Sequence, residues 1–363
     1  MKDPSRRKAA GAKTAAAKGV FQRILASVLA GVLLVVCGCA QQKEALPTEP
    51  CQILFKAKVP ITLHERKIIV QGNLNGQPVR MMLDTGSEIS VIEPNTAESL
   101  GGVYNRERLF QFGGVNGRLD AQHPYKLKTI QIGPLHWFDF EIAVARVARA
   151  EKQNAPDAVA GIIGNDLLKW YDVELDFQRG EMTFYQTPKC KGDFVPWEKP
   201  YEVMRSPLNR RKFFIVPVEL NGRTLRALVD TGAGNTRVDL TAVVAAGADK
   251  AVLQQSRKIV ATGIGGLEMP ARLYRFDSLT VAGKKLKNPT LSVGEASLPD
   301  GIDMLLGMDF WWQYKMWLSH QTGQVFMQQI SLPALREPAA TPANANHQQL
   351  QFQEEQREAL KKK

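Results

Sequence analysis

Two carboxylates with matching neighbours are the residues of this chain best placed to do chemistry: Asp84 in Asp84-Thr85-Gly86 and Asp230 in Asp230-Thr231-Gly232. Each closes one copy of a repeated stretch. Ile68 to Gly86 reads IIVQGNLNGQPVRMMLDTG, Phe214 to Gly232 reads FIVPVELNGRTLRALVDTG, and nine of the nineteen positions agree at one fixed offset (230 − 84 = 146). A tripeptide alone is weak, and the duplicated context gives it weight. Two copies of one loop related by a pseudo-two-fold axis bring their carboxyls side by side. Like charges a few ångströms apart do not both ionise readily, so such a pair holds one proton between them. One member is then a base that draws a proton from a bound water, and the other an acid that bonds the attacked carbonyl oxygen and helps protonate the leaving nitrogen. This chemistry needs no covalent intermediate, no metal and no cofactor.

The elements that must hold these loops follow from pattern. Lys67 to Leu74 is strand-like, Asn75-Gly76 is a two-residue hairpin signal, and Pro78 to Leu83 is the return strand; Phe213 to Leu220, Asn221-Gly222 and Thr224 to Val229 repeat it. About thirty residues on, each copy has a glycine cluster: Gly113-Gly114-Val115-Asn116-Gly117, and Gly263-Ile264-Gly265-Gly266. At matching distances after a carboxylate loop, these read as mobile hairpin lids. Each copy ends in an apolar strand, a glycine and a short helical run, at Gly161 to Leu168 and Met304 to Phe310, followed by a hairpin. Asp166 and Asp309 follow a helix-start pattern and are expected to cap those helices. Trp311, Trp312 and Trp317 are expected in the core. Thr187 to Asn209, with four prolines, reads as a connector lying across a surface.

The order hydrophobic-hydrophobic-Asp-Thr-Gly-Ser87/Ala233, glycine-rich flap, then Ile/Leu-Ile/Leu-Gly before a short helix resembles the retroviral-type (retropepsin-like) aspartic protease family. The resemblance covers residues 60–186 and 210–330, linked by 187–209. It implies an all-β fold of two closed barrel halves about a pseudo-two-fold axis, each with one short helix, fused in one chain as a monomeric pseudo-dimer. It implies aspartic endopeptidase activity on a peptide or protein substrate, with Asp84 and Asp230 catalytic. Thr85 and Thr231 would bond across to the opposite loop, Gly86 and Gly232 would let backbone approach, and the two flaps would pair with an extended substrate. Asn165 and Met308 stand where retroviral members have arginine, and Gly234 makes the second loop less regular than the first. Ile89, Val91, Val115, Ile162, Ile163, Ile264, Leu305 and Leu306 suggest apolar side-chain pockets.

Composition sets the surroundings. Of a net charge of +11, more than half comes from seven lysines and arginines set against Asp3 in residues 1–38. The body has no basic run interleaved with aromatics, which argues against nucleic acid. Ile24 to Val36 is an apolar run too short for a bilayer span and suited to a signal peptide over 1–38. It ends in Val36-Cys37-Gly38-Cys39, which resembles a lipoprotein lipobox with Cys39 as the lipid acceptor. An uncleaved membrane anchor is the other reading. Both export the body to the cell envelope, and Ala40 favours the outer membrane by family analogy, with the protein facing the periplasm. Cys51 and Cys190 bracket the first repeat, after an N-terminal linker through residue 59 has begun, and can form a disulfide in an oxidising compartment. Pro333 to Lys363 reads as a weakly helical or disordered tail. There is no HExxH, Gly-x-Ser-x-Gly, or mixed Cys/His cluster to support rival chemistry. A non-catalytic envelope lipoprotein that binds peptides through the same fold is the alternative, although it has no chemical need for either carboxylate. Two chains pairing through matching repeats is a third arrangement.

Overall fold

An Asn-Gly turn opens the strand pattern of each repeat. Asn75 and Asn221 take φ of 50° and 50°, and Gly76 and Gly222 take 87° and 80°, the left-handed pair that a two-residue hairpin requires. The computed structural model describes residues 50–330 apart from 112, 115, 116, 119, 120, 148–157, 208–212, 264–267, 296, 297, 299 and 300. The signal and lipid-acceptor region with Cys39, the tail, and the flap residues Val115, Asn116, Ile264, Gly265 and Gly266 therefore lie outside the described residues.

The first repeat comprises β1 (Leu54–His64), β2 (Lys67–Leu74), β3 (Gln77–Leu83), β4 (Val91–Ile92), α1 (Pro94–Ser99), β5 (Val103–Tyr104), β6 (Gly113–Gly114), β7 (Gly117–Arg118), β8 (Tyr125–Ile132), β9 (Leu135–Val144), β10 (Gly161–Ile163), α2 (Asn165–Leu168), β11 (Asp172–Asp176) and β12 (Glu181–Gln186). β13 (Glu202–Arg205) follows. The second repeat comprises β14 (Ile215–Leu220), β15 (Arg223–Val229), β16 (Arg237–Asp239), α3 (Leu240–Ala245), α4 (Lys250–Gln255), β17 (Lys258–Thr262), β18 (Glu268–Arg275), β19 (Ser278–Val281), β20 (Lys284–Lys287), β21 (Thr290–Gly294), β22 (Met304–Leu306), α5 (Met308–Trp311), β23 (Tyr314–Leu318) and β24 (Gln324–Gln329).

In the first repeat the order β2-β3-β10-β4-β9-β8 closes on itself through a β2–β8 pairing, giving a six-stranded barrel. The second repeat keeps the order β14-β15-β22-β16-β21-β18, but the counterparts of β8 and β9 are each divided, and β19 rather than β18 meets β14. Pro289, which has no N–H to give a ladder, stands at the division, and its carbonyl accepts from Phe276 N. Helices α1, α3 and α4 come in addition to the short helix expected at the end of each repeat. Pro94 opens α1, while Asp239 and Asp249 cap α3 and α4 through Thr241 N and Ala251 N.

The terminal hairpins of the two repeats join. β11 pairs antiparallel with β23, so β13-β24-β23-β11-β12-β1 run as one sheet that joins the two repeats. The proline-rich connector crosses this sheet, packs Phe194 and Val195 onto Trp317 and Phe326, and adds β13 to its edge. β1 enters the sheet at Leu54, ahead of the repeat boundary expected at 60. Cys51 and Cys190 are joined by a disulfide, S–S 2.05 Å, that ties the start of β1 to the start of the connector. Trp311 and Trp317 are fully buried, and Trp312 packs against the same core.

Candidate active site

Each loop begins where a strand runs out of partners on one side. Asp84 N donates to Ile163 O at 3.0 Å and Asp230 N to Leu306 O at 3.1 Å, so each carboxylate stands at the junction of two parallel strands, β3/β10 and β15/β22. Thr85 and Thr231 then interlock across the pseudo-two-fold axis. Thr85 N donates to Thr231 Oγ1 (3.0 Å) and Thr231 N to Thr85 Oγ1 (3.1 Å), while the hydroxyls donate to Val229 O (2.7 Å) and Leu83 O (2.9 Å). Both threonines are buried, and each bond has its mate in the other repeat.

This grip sets Asp84 and Asp230 face to face, each 7% exposed. A Cβ added at Gly86 would stand 2.6 Å from the carboxyl carbon of Asp230, and one at Gly232 would collide likewise with the carboxyl of Asp84. Only glycine permits that approach. Asp84 Oδ1 accepts from Gly86 N (2.8 Å); Asp230 Oδ1 accepts from Gly232 N (2.9 Å) and Ala233 N (3.0 Å). Burial raises the pKa of Asp84 above 3.8, against the pull of the Gly86 amide, its contact with Asp230, the Ser87 amide and the field of Lys67. Burial, and then the neighbouring charge of Asp84, raise Asp230 well above 3.8. The pair therefore holds a proton above the ordinary carboxylate range. Ser87 acts on the dyad through its amide alone, since its hydroxyl turns away and donates to Ile89 O at 2.7 Å.

A second layer fixes the loops, and pattern alone read only half of it. The N-cap positions of α2 and α5 are Gly164 and Gly307, while Asp166 and Asp309, inside the first turn, accept from the Leu167 and Phe310 amides of their own helices. They also reach back: Asp166 accepts from Ser90 N (2.9 Å) and Ser90 Oγ (2.6 Å), and Asp309 from Thr236 N (2.9 Å) and Thr236 Oγ1 (2.6 Å). Asn165 is buried and donates through Nδ2 to Thr85 O (2.8 Å) and Ser87 O (2.9 Å). Those two carbonyls orient its amide so that Oδ1 faces His320 Nε2 at 3.1 Å, and His320 Nδ1 lies 2.9 Å from Tyr171 O. Met308, at the matching position, is apolar and fills core. Neither Asn165 nor His320 carries a sequence signal for this role, because His320 arrives from the far hairpin.

The glycine cluster expected to form the first flap lies on the hairpin β6–β7, pairing Gly113 with Arg118 and Gly114 with Gly117; the cluster expected to form the second lies between β17 and β18, whose last pair, Thr262 with Glu268, flanks Gly263 and its glycine-rich neighbours. Of the apolar residues expected to line pockets, Ile89, Val91 and Ile162 join a small cluster with Phe110 outside the barrel core, and Leu305 joins its counterpart in the second repeat. Ile163 and Leu306 point the other way, into the core, because side chains alternate along a strand.

A family model described as aspartyl protease matches residues 70–167 and again 216–310. The chain belongs to the aspartyl protease family. Both matches contain one Asp-Thr-Gly loop and its following short helix, so this aspartyl protease family member is a tandem one. An aspartic proteinase from Irpex lacteus is similar in structure, at 13% sequence identity over 77% of this chain and 98% of that one, with a TM-score of 0.45. No curated protein sequence matches the chain.

Proposed function

We propose that this family member is a working aspartic endopeptidase, exported and held at the cell envelope by a lipid on Cys39. The observation that carries the proposal is the buried, face-to-face Asp84–Asp230 pair under the reciprocal threonine grip. With one proton on the pair, the ionised carboxylate takes a proton from a water held between them, and that water attacks the peptide carbonyl. The protonated carboxyl bonds the developing oxyanion, and a proton then passes to the leaving nitrogen as the C–N bond breaks. Substrate lies extended under the two hairpins. The basic stretch, apolar run and lipobox-like Cys39 support export, and a disulfide at Cys51–Cys190 suits an oxidising compartment.

The test is cleavage of a denatured protein or peptide library by wild type, Asp84→Asn and Asp230→Asn. Each single variant is expected to lose roughly 10³-fold or more, since neither carboxyl can do both jobs. Full turnover by either variant would sink the shared-dyad mechanism. Intact mass of the N-terminal peptide from membranes, with and without Cys39→Ser, tests the lipid.

A further inference from the structure

The two repeats differ where a substrate side chain would rest. Residues opposite one another on adjacent strands share a face of the sheet. In the first repeat one such row runs Met82–Ile162–Val91–Ala143 across β3, β10, β4 and β9, and all four belong to one buried apolar cluster. In the second repeat the same row runs Leu228–Leu305–Arg237–Ser292 across β15, β22, β16 and β21. Met82 and Leu228 each sit two residues before a dyad aspartate, so each row lies on the dyad's side of its barrel. Arg237 is two strands from Leu228, about 10 Å at the usual strand spacing. The internal repeat thus places a guanidinium where the first repeat has the methyls of Val91.

Arg237 is 4% exposed. Its Nη2 donates to Glu295 O at 2.7 Å, while Nε, Nη1 and the neighbouring Ser292 Oγ are buried with no hydrogen-bond partner among the described residues. A Cβ added at Gly294 would lie 2.8 Å from Nη2 and 3.0 Å from Pro270 O, which locates the group against the second flap hairpin. Asp239, the carboxylate whose field acts on Arg237, is engaged at the N-cap of α3 through Thr241 N. Burying a cation with two idle donors is costly unless an anion arrives to take them. A carboxylate fits, because it accepts from several N–H groups and a hydroxyl at once.

We propose that Arg237, with Ser292, is a specificity-determining residue that receives an acidic side chain of the peptide at one position beside the scissile bond, opposite an apolar subsite built on Val91 and Ile162. This rests on the proteolytic reading above. The test uses the exported chain and a peptide set varied one position at a time on both sides of the cleavage site, in pairs that differ only as Glu against Gln. Wild type is expected to prefer Glu at one position by about tenfold or more in kcat/KM, the size of a charge-assisted over a neutral contact. Arg237→Val, which installs the first repeat's residue, is expected to bring that ratio to one, and Arg237→Lys to keep part of it. Each ratio is taken within one preparation, so a loss of folded protein does not alter it. A wild-type ratio near one at every position overturns the proposal, as does a preference that survives in Arg237→Val. The same pairs are titrated calorimetrically into Asp84→Asn, whose binding preference does not depend on turnover. Tighter binding of Glu peptides without any cleavage by wild type would leave the subsite standing and remove the hydrolytic reading; equal binding would remove the subsite.

Discussion

Two carboxyls that bury each other are held at a cost to stability. Both have folded-state pKa values raised above 3.8, first by burial. Below the unfolded value both states are protonated and the pair is harmless; as pH rises towards the folded values the unfolded chain ionises first, and stability falls. Asp230→Asn is therefore expected to unfold at a higher temperature than wild type at pH 7, with the gain shrinking to nothing below about pH 3.5. Melting curves across that range check it, and a variant that melts lower at every pH would contradict it. Asn165 is the other residue whose loss is readable. Asn165→Ala strips two loop carbonyls of their donor, and kcat is expected to fall about tenfold with KM little changed, since the loop misplaces the reacting groups rather than the substrate. Parallel loss in kcat and KM would place Asn165 elsewhere in the cycle.

At the scale of elements, the short helix after each barrel acts as an anchor for the loop before it. Asp166 and Asp309 are half-buried, desolvation raises both, and their bonds to Ser90 and Thr236 oppose the rise. Asp309→Ala leaves the Thr236 amide and hydroxyl without an acceptor, which is expected to cost about 2–4 kcal/mol, measured by denaturant unfolding. Asp309→Asn, which keeps an acceptor oxygen, is expected to cost less. How the site could be read in advance divides along the same line. The carboxylates, threonines and glycines are legible because the chain writes them twice with the same spacing. The anchors are visible as residues but only half their task is, because an acid beside a helix start looks the same whether it serves its own amides alone or a distant loop as well. Arg237 and His320 were invisible for a related reason. One is an ordinary surface-type residue until the register puts it in an apolar row, and the other meets Asn165 only through the far hairpin.

For the whole molecule, the pattern conveyed strands, duplication and order, but not the shared sheet. The pairing of β11 with β23 joins segments 145 residues apart, as from Asp172 to Trp317, and no local signal reports such a partner. Lys315 of β23 seals that junction, 2.6 Å from Glu174 of β11 and under the ring of Trp197. The disulfide closes 139 residues outside it. Opening it by Cys190→Ser is expected to lower stability by about 2–4 kcal/mol, since a long loop regains its freedom in the unfolded chain. Reduction of wild type should give the same loss by denaturant titration, and identical midpoints with and without reductant would refute it.

The threonine grip has a consequence for what can enter. Four buried hydrogen bonds and a continuous sheet weld the two repeats together, which opposes their swinging apart to take in a bulky domain. Under the proposed proteolysis, entry to the carboxyl pair then falls to the glycine-rich hairpins, and the substrate expected there is a single extended strand, frayed or denatured, in preference to a folded neighbour.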